Sequence, residues 1–149
     1  MPERSTLKRV EEDKREGKAP STQAGEFVRE DMEHIRRGKH GARSTKQAIA
    51  IGLSKARRAG VDLKSPKKGR ASEKTRKSAE RDYRKGHSAK KKSSSSSKRS
   101  SARLKALKRE PHSAASHAAL SRQAKSAAKR RKRSGSATSG ARGSHRRAA

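Results

Sequence analysis

The chain has 149 residues, of which 44 are Lys or Arg and 14 are Asp or Glu, so its formal net charge is +30, and only 26% of its residues are hydrophobic. Such a balance does not support one ordinary globular domain of this length. Catalysis needs a pocket that excludes water and holds an acid, base or nucleophile in place, and this composition can hardly enclose one. We therefore expect that the protein is not an enzyme and has no catalytic residues.

Targeting and redox features are few. Residues 1–18 are rich in charge and lack the apolar stretch of a secretory signal. The longest apolar run, residues 48–53, has six residues and is too short to span a membrane. Cys is absent, which excludes disulfides and thiolate metal sites. We expect a cytoplasmic protein without a membrane span.

The positive charge is distributed unevenly. Residues 1–40 have a net charge of +1, residues 41–86 have +11, and residues 87–149 have +18. This asymmetry predicts a part that folds or self-associates, followed by a part that binds a partner.

The first two segments predict a charged arm and then a helical hairpin. Residues 1–20 form the arm, in which residues 3–16 have the composition of a short charged helix. Residues 21–64 form the hairpin, with helices at about 25–37 and 45–59. Helical spacing of apolar residues supports the first helix, with Glu26, Glu30 and Glu33 on its opposite face and Asp31 interrupting the stripe. The apolar stripe consists of Ala24, Phe27, Val28, Met32 and Ile35.

The second hairpin helix begins with a capping box at Ser44 to Gln47 and ends before Gly60. Its stripe includes Ala48, Gly52 and Ala56, which are small and four residues apart. Small residues at this spacing let a partner helix approach closely, so the hairpin is a candidate surface for a homo-oligomer. A plain hairpin is favoured over a helix-turn-helix reader because no base-contacting set is identifiable.

Residues 65–86 predict a basic linker and then a helix over 72–85, with Glu73 placed four residues before Lys77 and Gly86 as a stop. The Ser65-Pro66-Lys67-Lys68 turn places two cations where they can reach phosphates, and it resembles the turn of the same sequence in linker-histone tails. Residues 87–149 are expected to be a disordered Ser, Ala, Lys and Arg tail, in which residues 113–133 become helical when their charges are screened. The predicted fold class is a mostly disordered polybasic chain with a small all-α element.

The histidines do not predict a metal site. They lie in hydrophilic segments without Cys or paired carboxylates at ligand spacing, so we expect no metal and no cofactor. The six residues are His34, His40, His87, His112, His117 and His145.

The charge predicts a nucleic-acid partner, because Lys and Arg near phosphates gain affinity from counterion release without any fixed fold. Single-strand and RNA modules generally stack bases on aromatic rings, and the only aromatic rings besides those of His are Phe27 and Tyr83. The leading hypothesis is therefore sequence-nonspecific binding of duplex DNA. An RNA or ribosome-associated protein, and a non-catalytic protein-interaction module with a polybasic tail, remain alternatives. The expected phosphate contacts are Arg43, Lys46, Arg57, Arg58, Lys67, Lys68, Arg70, Lys129, Arg130, Arg131, Lys132 and Arg133.

One stretch resembles a known family. Residues 43–60 read RSTKQAIAIGLSKARRAG, which is similar to the signature of small basic bacterial proteins that carry a domain of unknown function. The similarity extends over residues 26–63. Members are commonly described as DNA-binding or histone-like, so the resemblance implies a bacterial source and a nucleoid-associated role, without a mechanism. Gly52 stands where relatives often have Ala, and Lys55 where they often have Glu.

Overall fold

The computed structural model describes residues 2–88 and 97–143. Those residues form an all-α structure without strands. The six helices of the described residues are α1 (Arg4–Arg15), α2 (Pro20–Arg36), α3 (Thr45–Arg58), α4 (Glu73–His87), α5 (Ser97–Lys108) and α6 (His117–Gly143), and one turn of 3-10 helix (Ser113–Ala115) precedes α6.

The prediction of a mostly disordered chain is wrong. Most of the chain is helical, and residues 97–143, which had been assigned to a disordered tail, contain α5, the 3-10 turn and α6. Part of that tail also contributes to the core, since Ala114 and Ala115 are buried there and Leu120 packs beside them. The low hydrophobic content is compatible with this fold because many of the apolar residues are alanines, which form helices readily and need little room to pack. The predicted disorder of residues 89–96 and 144–149 lies outside the described residues.

The hairpin of α2 and α3 forms the centre of the structure, as its apolar stripes predicted. Phe27 and Ile35 of α2 are fully buried, and so are Ala48 and Ala56 of α3. Gly52 lies at the closest approach of the two helices, where a Cβ would be 2.6 Å from Val28 Cα. The stripe of small residues on α3 is therefore used inside the chain, against α2.

The ends of α3 follow the predicted capping signals. Ser44 Oγ accepts a hydrogen bond from Gln47 N at 3.2 Å, and Gln47 Oε1 accepts one from Arg43 N at 2.8 Å. Gly60 has a φ of 96° and ends the helix. Val61 N then donates to Ala56 O at 3.2 Å, which folds the chain back onto the core.

Two helix boundaries differ from the predicted ones. Helix α2 begins at Pro20, five residues before residue 25, because proline is favoured at a first helical position, where no N–H partner is lost. Helix α4 continues through Gly86 to His87. Gly86 is required by packing, since a Cβ there would be 1.9 Å from Arg57 O.

A segment that we call the docking segment, residues 107–120, covers the turn between α2 and α3. Main-chain amides of the turn donate to it, from Gly41 N to Leu107 O at 2.8 Å and from Ala42 N to Pro111 O at 3.0 Å. Thr45 Oγ1 adds a hydrogen bond of 2.7 Å to the carbonyl oxygen of Ala114. The docking segment thereby fixes where α6 begins relative to α3.

The α2–α3 contact predicts opposite effects for two glycine substitutions. Gly52→Ala should destabilise the protein by about 1 to 3 kcal/mol, because the new methyl group collides with main-chain atoms of α2. The control is Gly25→Ala on α2, where a Cβ meets nothing within 4 Å, and this change should stabilise the protein by about 0.5 to 1 kcal/mol. Urea denaturation measures both. Equal effects of the two changes would contradict the packing.

Burial of the docking segment predicts a second pair of opposite results. Ala115 is fully buried, so Ala115→Asp should cost about 2 to 4 kcal/mol by placing a charge in the core. Ala118, three residues further on, is exposed in the first turn of α6, where an aspartate is favourable, so Ala118→Asp should be neutral or slightly stabilising. Thermal unfolding followed by circular dichroism compares them; a neutral Ala115→Asp would show that the segment does not dock.

Candidate nucleic-acid interface

Helices α3 and α6 begin side by side and enclose an open cleft of about 540 Å³. Ser44, Thr45 and Lys46 line one side of the cleft, and Ser116 and Arg122 lie on the other side. The docking segment creates this arrangement by holding the start of α6 against the start of α3.

The cleft is electropositive for two reasons. It is lined by three exposed cations, Arg43, Lys46 and Arg122, and two helix N-termini supply partial positive charge and main-chain N–H donors. The Arg43 side chain is 81% exposed, and its nearest carboxylate is that of Glu110, with Nη2 and Oε1 3.6 Å apart. Neither helix has an acidic residue in its first turn. Such a site suits a phosphate group.

Helix α6 continues the positive charge away from the cleft. Its 27 residues span about 40 Å and include no Asp or Glu. Residues 128–133 are exposed. At about 100° per residue, five cations share an arc of about 100° on one face. This cationic face of α6 consists of Arg122, Lys125, Lys129, Lys132 and Arg133.

The five predicted phosphate contacts in residues 129–133 therefore do not all lie on one side of α6. Lys129, Lys132 and Arg133 lie on the cationic face, whereas Arg130 and Arg131 fall outside its arc. The sequence alone did not single out Arg122. Its position on a common face with Lys125 and Lys129 follows from helical spacing, which applies only if this segment is a helix.

The predicted contacts at Lys67, Lys68 and Arg70 lie in an exposed turn between α3 and α4 and do not line the cleft. The turn closes through the main chain, from Arg70 N to Lys67 O at 3.1 Å, with Gly69 at a φ of 84°. Among the described residues none of the three cationic groups has a hydrogen bond or ion pair. They form a second, separate group of exposed cations.

Two predicted contacts, Arg57 and Arg58, have partners within the fold. Arg57 is only 8% exposed, and its Nε donates to Leu63 O at 3.0 Å. Burial lowers the pKa of Arg57 below its ordinary value. Arg58 Nε pairs with Asp82 Oδ1 of α4 at 3.1 Å. Neither guanidinium group lines the cleft, although the Arg58 side chain is 50% exposed.

The two aromatic residues are also engaged in the fold. Phe27 is fully buried. Tyr83 donates a hydrogen bond from its hydroxyl to Asp62 Oδ1 at 2.6 Å, and its ring stacks on His87 with centroids 4.1 Å apart. Neither ring is arranged as an open platform for stacked bases, in keeping with a partner bound through its phosphates.

A second polar cluster, which we call the α2 acid cluster, is buried on the other side of the α2–α3 turn. It contains Glu30, Asp31, His34, His40 and Lys55. Asp31 is completely buried and pairs through Oδ1 with Lys55 Nζ, and Glu30 Oε1 lies 3.6 Å from the same ammonium group. Glu30 lies opposite the predicted apolar stripe of α2 and is nevertheless buried, because Glu3 N donates to its Oε2 and Lys55 Nζ lies beside its Oε1.

The N-terminal end of α1 closes the α2 acid cluster. Glu3 Oε1 lies 2.9 Å from Lys39 Nζ and 2.8 Å from His34 Nε2. Hydrogen bonds from Lys39 and then His34 lower the pKa of Glu3 to about 2. His40 is buried and His34 nearly so, so two of the six histidines do not lie in the solvated setting that the sequence predicted. The interruption of the apolar stripe by Asp31 was the available signal.

The fold and its charged surface define a small, strongly basic all-α protein. A family model described as a family of unknown function (DUF6496) matches residues 15–69, so the chain contains this uncharacterised domain, and the resemblance to a domain of unknown function is confirmed. The matched region includes α2 and α3 with their turn, and the docking segment lies outside it. Comparisons with curated proteins and with solved structures find no match. Among the described residues, no helix is both long and apolar enough to cross a membrane.

The Tyr83–Asp62 contact predicts an abnormal titration. The hydrogen bond to Asp62, then burial and the charge of Asp62, raise the pKa of Tyr83 above its ordinary value of 10.0. The contact therefore stabilises the fold below that pH, and the stabilisation is lost as pH rises through the folded-state pKa. The chain has one tyrosine, so ultraviolet absorbance follows it directly. Asp62→Ala should return the pKa towards 10.0, whereas Glu12→Ala on α1 should leave it raised; an ordinary pKa in the unaltered protein would contradict the contact.

Proposed function

We propose that the protein is a sequence-nonspecific DNA-binding protein of the histone-like, nucleoid-associated kind, and that it acts in the cytoplasm by neutralising phosphates. The observation that carries the proposal is the meeting of Arg43, Lys46 and Arg122 at the joined N-termini of α3 and α6. Three cations and the partial positive charge of two helix N-termini there form a site for a phosphate that does not depend on a base.

The cationic face of α6 extends this site along a partner. A duplex presents one phosphate charge per about 1.7 Å of its axis, so the cationic face, which runs over about 17 Å from Arg122 to Arg133, lies within reach of several phosphates. Each neutralised phosphate releases condensed counterions, and this release supplies affinity. The face consists of Lys and Arg alone, which bind phosphates of any sequence, so we expect weak sequence preference.

The two alternatives have less support. RNA recognition usually relies on stacking, and Phe27 is buried while the partly exposed ring of Tyr83 stacks on His87. Self-association through the hairpin would use the small-residue stripe of α3, which already packs against Val28 of α2. Duplex DNA is therefore the partner that we propose, with RNA retained as an outcome of the test.

Salt-dependent titration of a random-sequence duplex of about 30 base pairs tests the proposal. Binding through six or more phosphates gives a log-log slope steeper than about −5. Removing three cations from the cleft, with Arg43→Gln, Lys46→Gln and Arg122→Gln together, should reduce the magnitude of the slope by about 2 to 3 and weaken affinity about tenfold or more.

The matched control removes three exposed cations from α1, with Arg4→Gln, Lys8→Gln and Arg15→Gln. It has the same net charge as the cleft variant and should retain most of the affinity and slope. Equal losses in the two variants would assign binding to overall charge instead of the cleft. Stronger binding to structured RNA than to duplex DNA at equal phosphate concentration would replace DNA by RNA as the partner.

A further inference from the structure

Asp31, His34 and His40 each offer one metal-ligating atom, and the three atoms lie within 4.8 Å of one another. Asp31 is fully buried, and its Oδ2 has no hydrogen-bond partner among the described residues. We propose that these residues bind a divalent transition-metal ion of the zinc type. The site is independent of the proposed DNA binding, since none of its residues lines the cleft.

Each imidazole has one nitrogen already engaged, which leaves the other for the ion. His40 Nδ1 lies 3.2 Å from Gly41 O, while its Nε2 faces Asp31 Oδ1 at 3.7 Å. His34 Nε2 lies 2.8 Å from Glu3 Oε1, which leaves Nδ1. A carbonyl and a carboxylate are the usual partners that fix the tautomer and orientation of metal-bound histidines. The contacts thus assign Nε2 of His40 and Nδ1 of His34 as ligands.

Two imidazoles and one carboxylate select the class of ion. Zn²⁺ takes such ligands at about 2.0 to 2.2 Å and leaves a fourth tetrahedral position for water. Mg²⁺ and Ca²⁺ prefer oxygen ligands. Ligand atoms around a tetrahedral Zn²⁺ lie about 3.3 Å apart, so the three groups need to draw together by an ångström or two, within the range of side-chain rotation.

Lys55 opposes the ion, because its ammonium group pairs with Asp31 and lies near Glu30. Binding of a divalent cation displaces this ammonium towards solvent, and the Lys55 side chain is already 25% exposed. Without Lys55, the two buried carboxylates would be left uncompensated, and a cation would be attracted more strongly. The site and the ion pair therefore compete for the same carboxylate.

Nitrogen-15 NMR of the full-length protein, titrated with Zn²⁺, tests the site without any substitution. One equivalent should shift His40 Nε2 and His34 Nδ1 to the values of metal-bound nitrogens and leave the other four imidazoles unchanged. No binding, or shifts confined to the other four histidines, would overturn the proposal.

Substitutions provide an independent measurement through the zinc-dependent rise in Tm, since an ion that binds only the folded protein stabilises it. Lys55→Met should lower Tm without metal and show a larger rise with Zn²⁺ than the unaltered protein. Asp31→Asn, and His34→Gln with His40→Gln, should abolish the rise. The control, His87→Gln with His117→Gln, removes two exposed imidazoles and should retain it. A rise lost only in the control, or a Lys55→Met protein that Zn²⁺ does not stabilise, would refute the site.

Discussion

The close contact between α2 and α3 at Gly52 and Val28 determines the rest of the structure. Because a Cβ at Gly52 would lie 2.6 Å from Val28 Cα, the two helices approach as near as their main chains allow. This approach buries Phe27 and Ile35 between small residues of α3 and brings Lys55 to Asp31. It also places the α2–α3 turn where its main-chain amides can donate hydrogen bonds to the docking segment.

The buried charge of Asp31 depends on that same contact. A lone carboxylate in a core is costly unless it is paired, and Lys55 reaches it only because α3 lies close to α2. The ion pair with Lys55 offsets this cost, although Asp31 Oδ2 and Glu30 Oε1 have no hydrogen-bond partner in the part of the chain that the structure describes. Replacing such a buried pair by apolar residues of the same shape is often neutral or stabilising, so stability alone does not account for a charge at Asp31.

The sequence predicted local features well and long-range ones poorly. The stripes of α2 and α3, the Ser44 cap and the Gly60 end depend on neighbouring residues, and all are present. Docking of residues 107–120 joins segments about 70 residues apart through main-chain groups and two alanines, and composition carries no signal for it. The sequence predicts Arg43 and Lys46 as phosphate contacts. It does not predict that Arg122 lies in the same cleft, because that arrangement depends on the docking.

Folding separates the charges of this chain. The acidic residues of the N-terminal half are largely held in pairs, as in Arg9–Glu26 at 2.5 Å and Lys18–Asp13 at 2.8 Å. After residue 87 the only acidic residue of the sequence is Glu110, and α6 itself contains none. A disordered tail would spread its charge through a large volume, whereas a helix docked at its first turn holds cations at fixed spacing beside Arg43 and Lys46. The ordered tail therefore concentrates positive potential at one edge of the molecule, where a polyanion gains the most from binding.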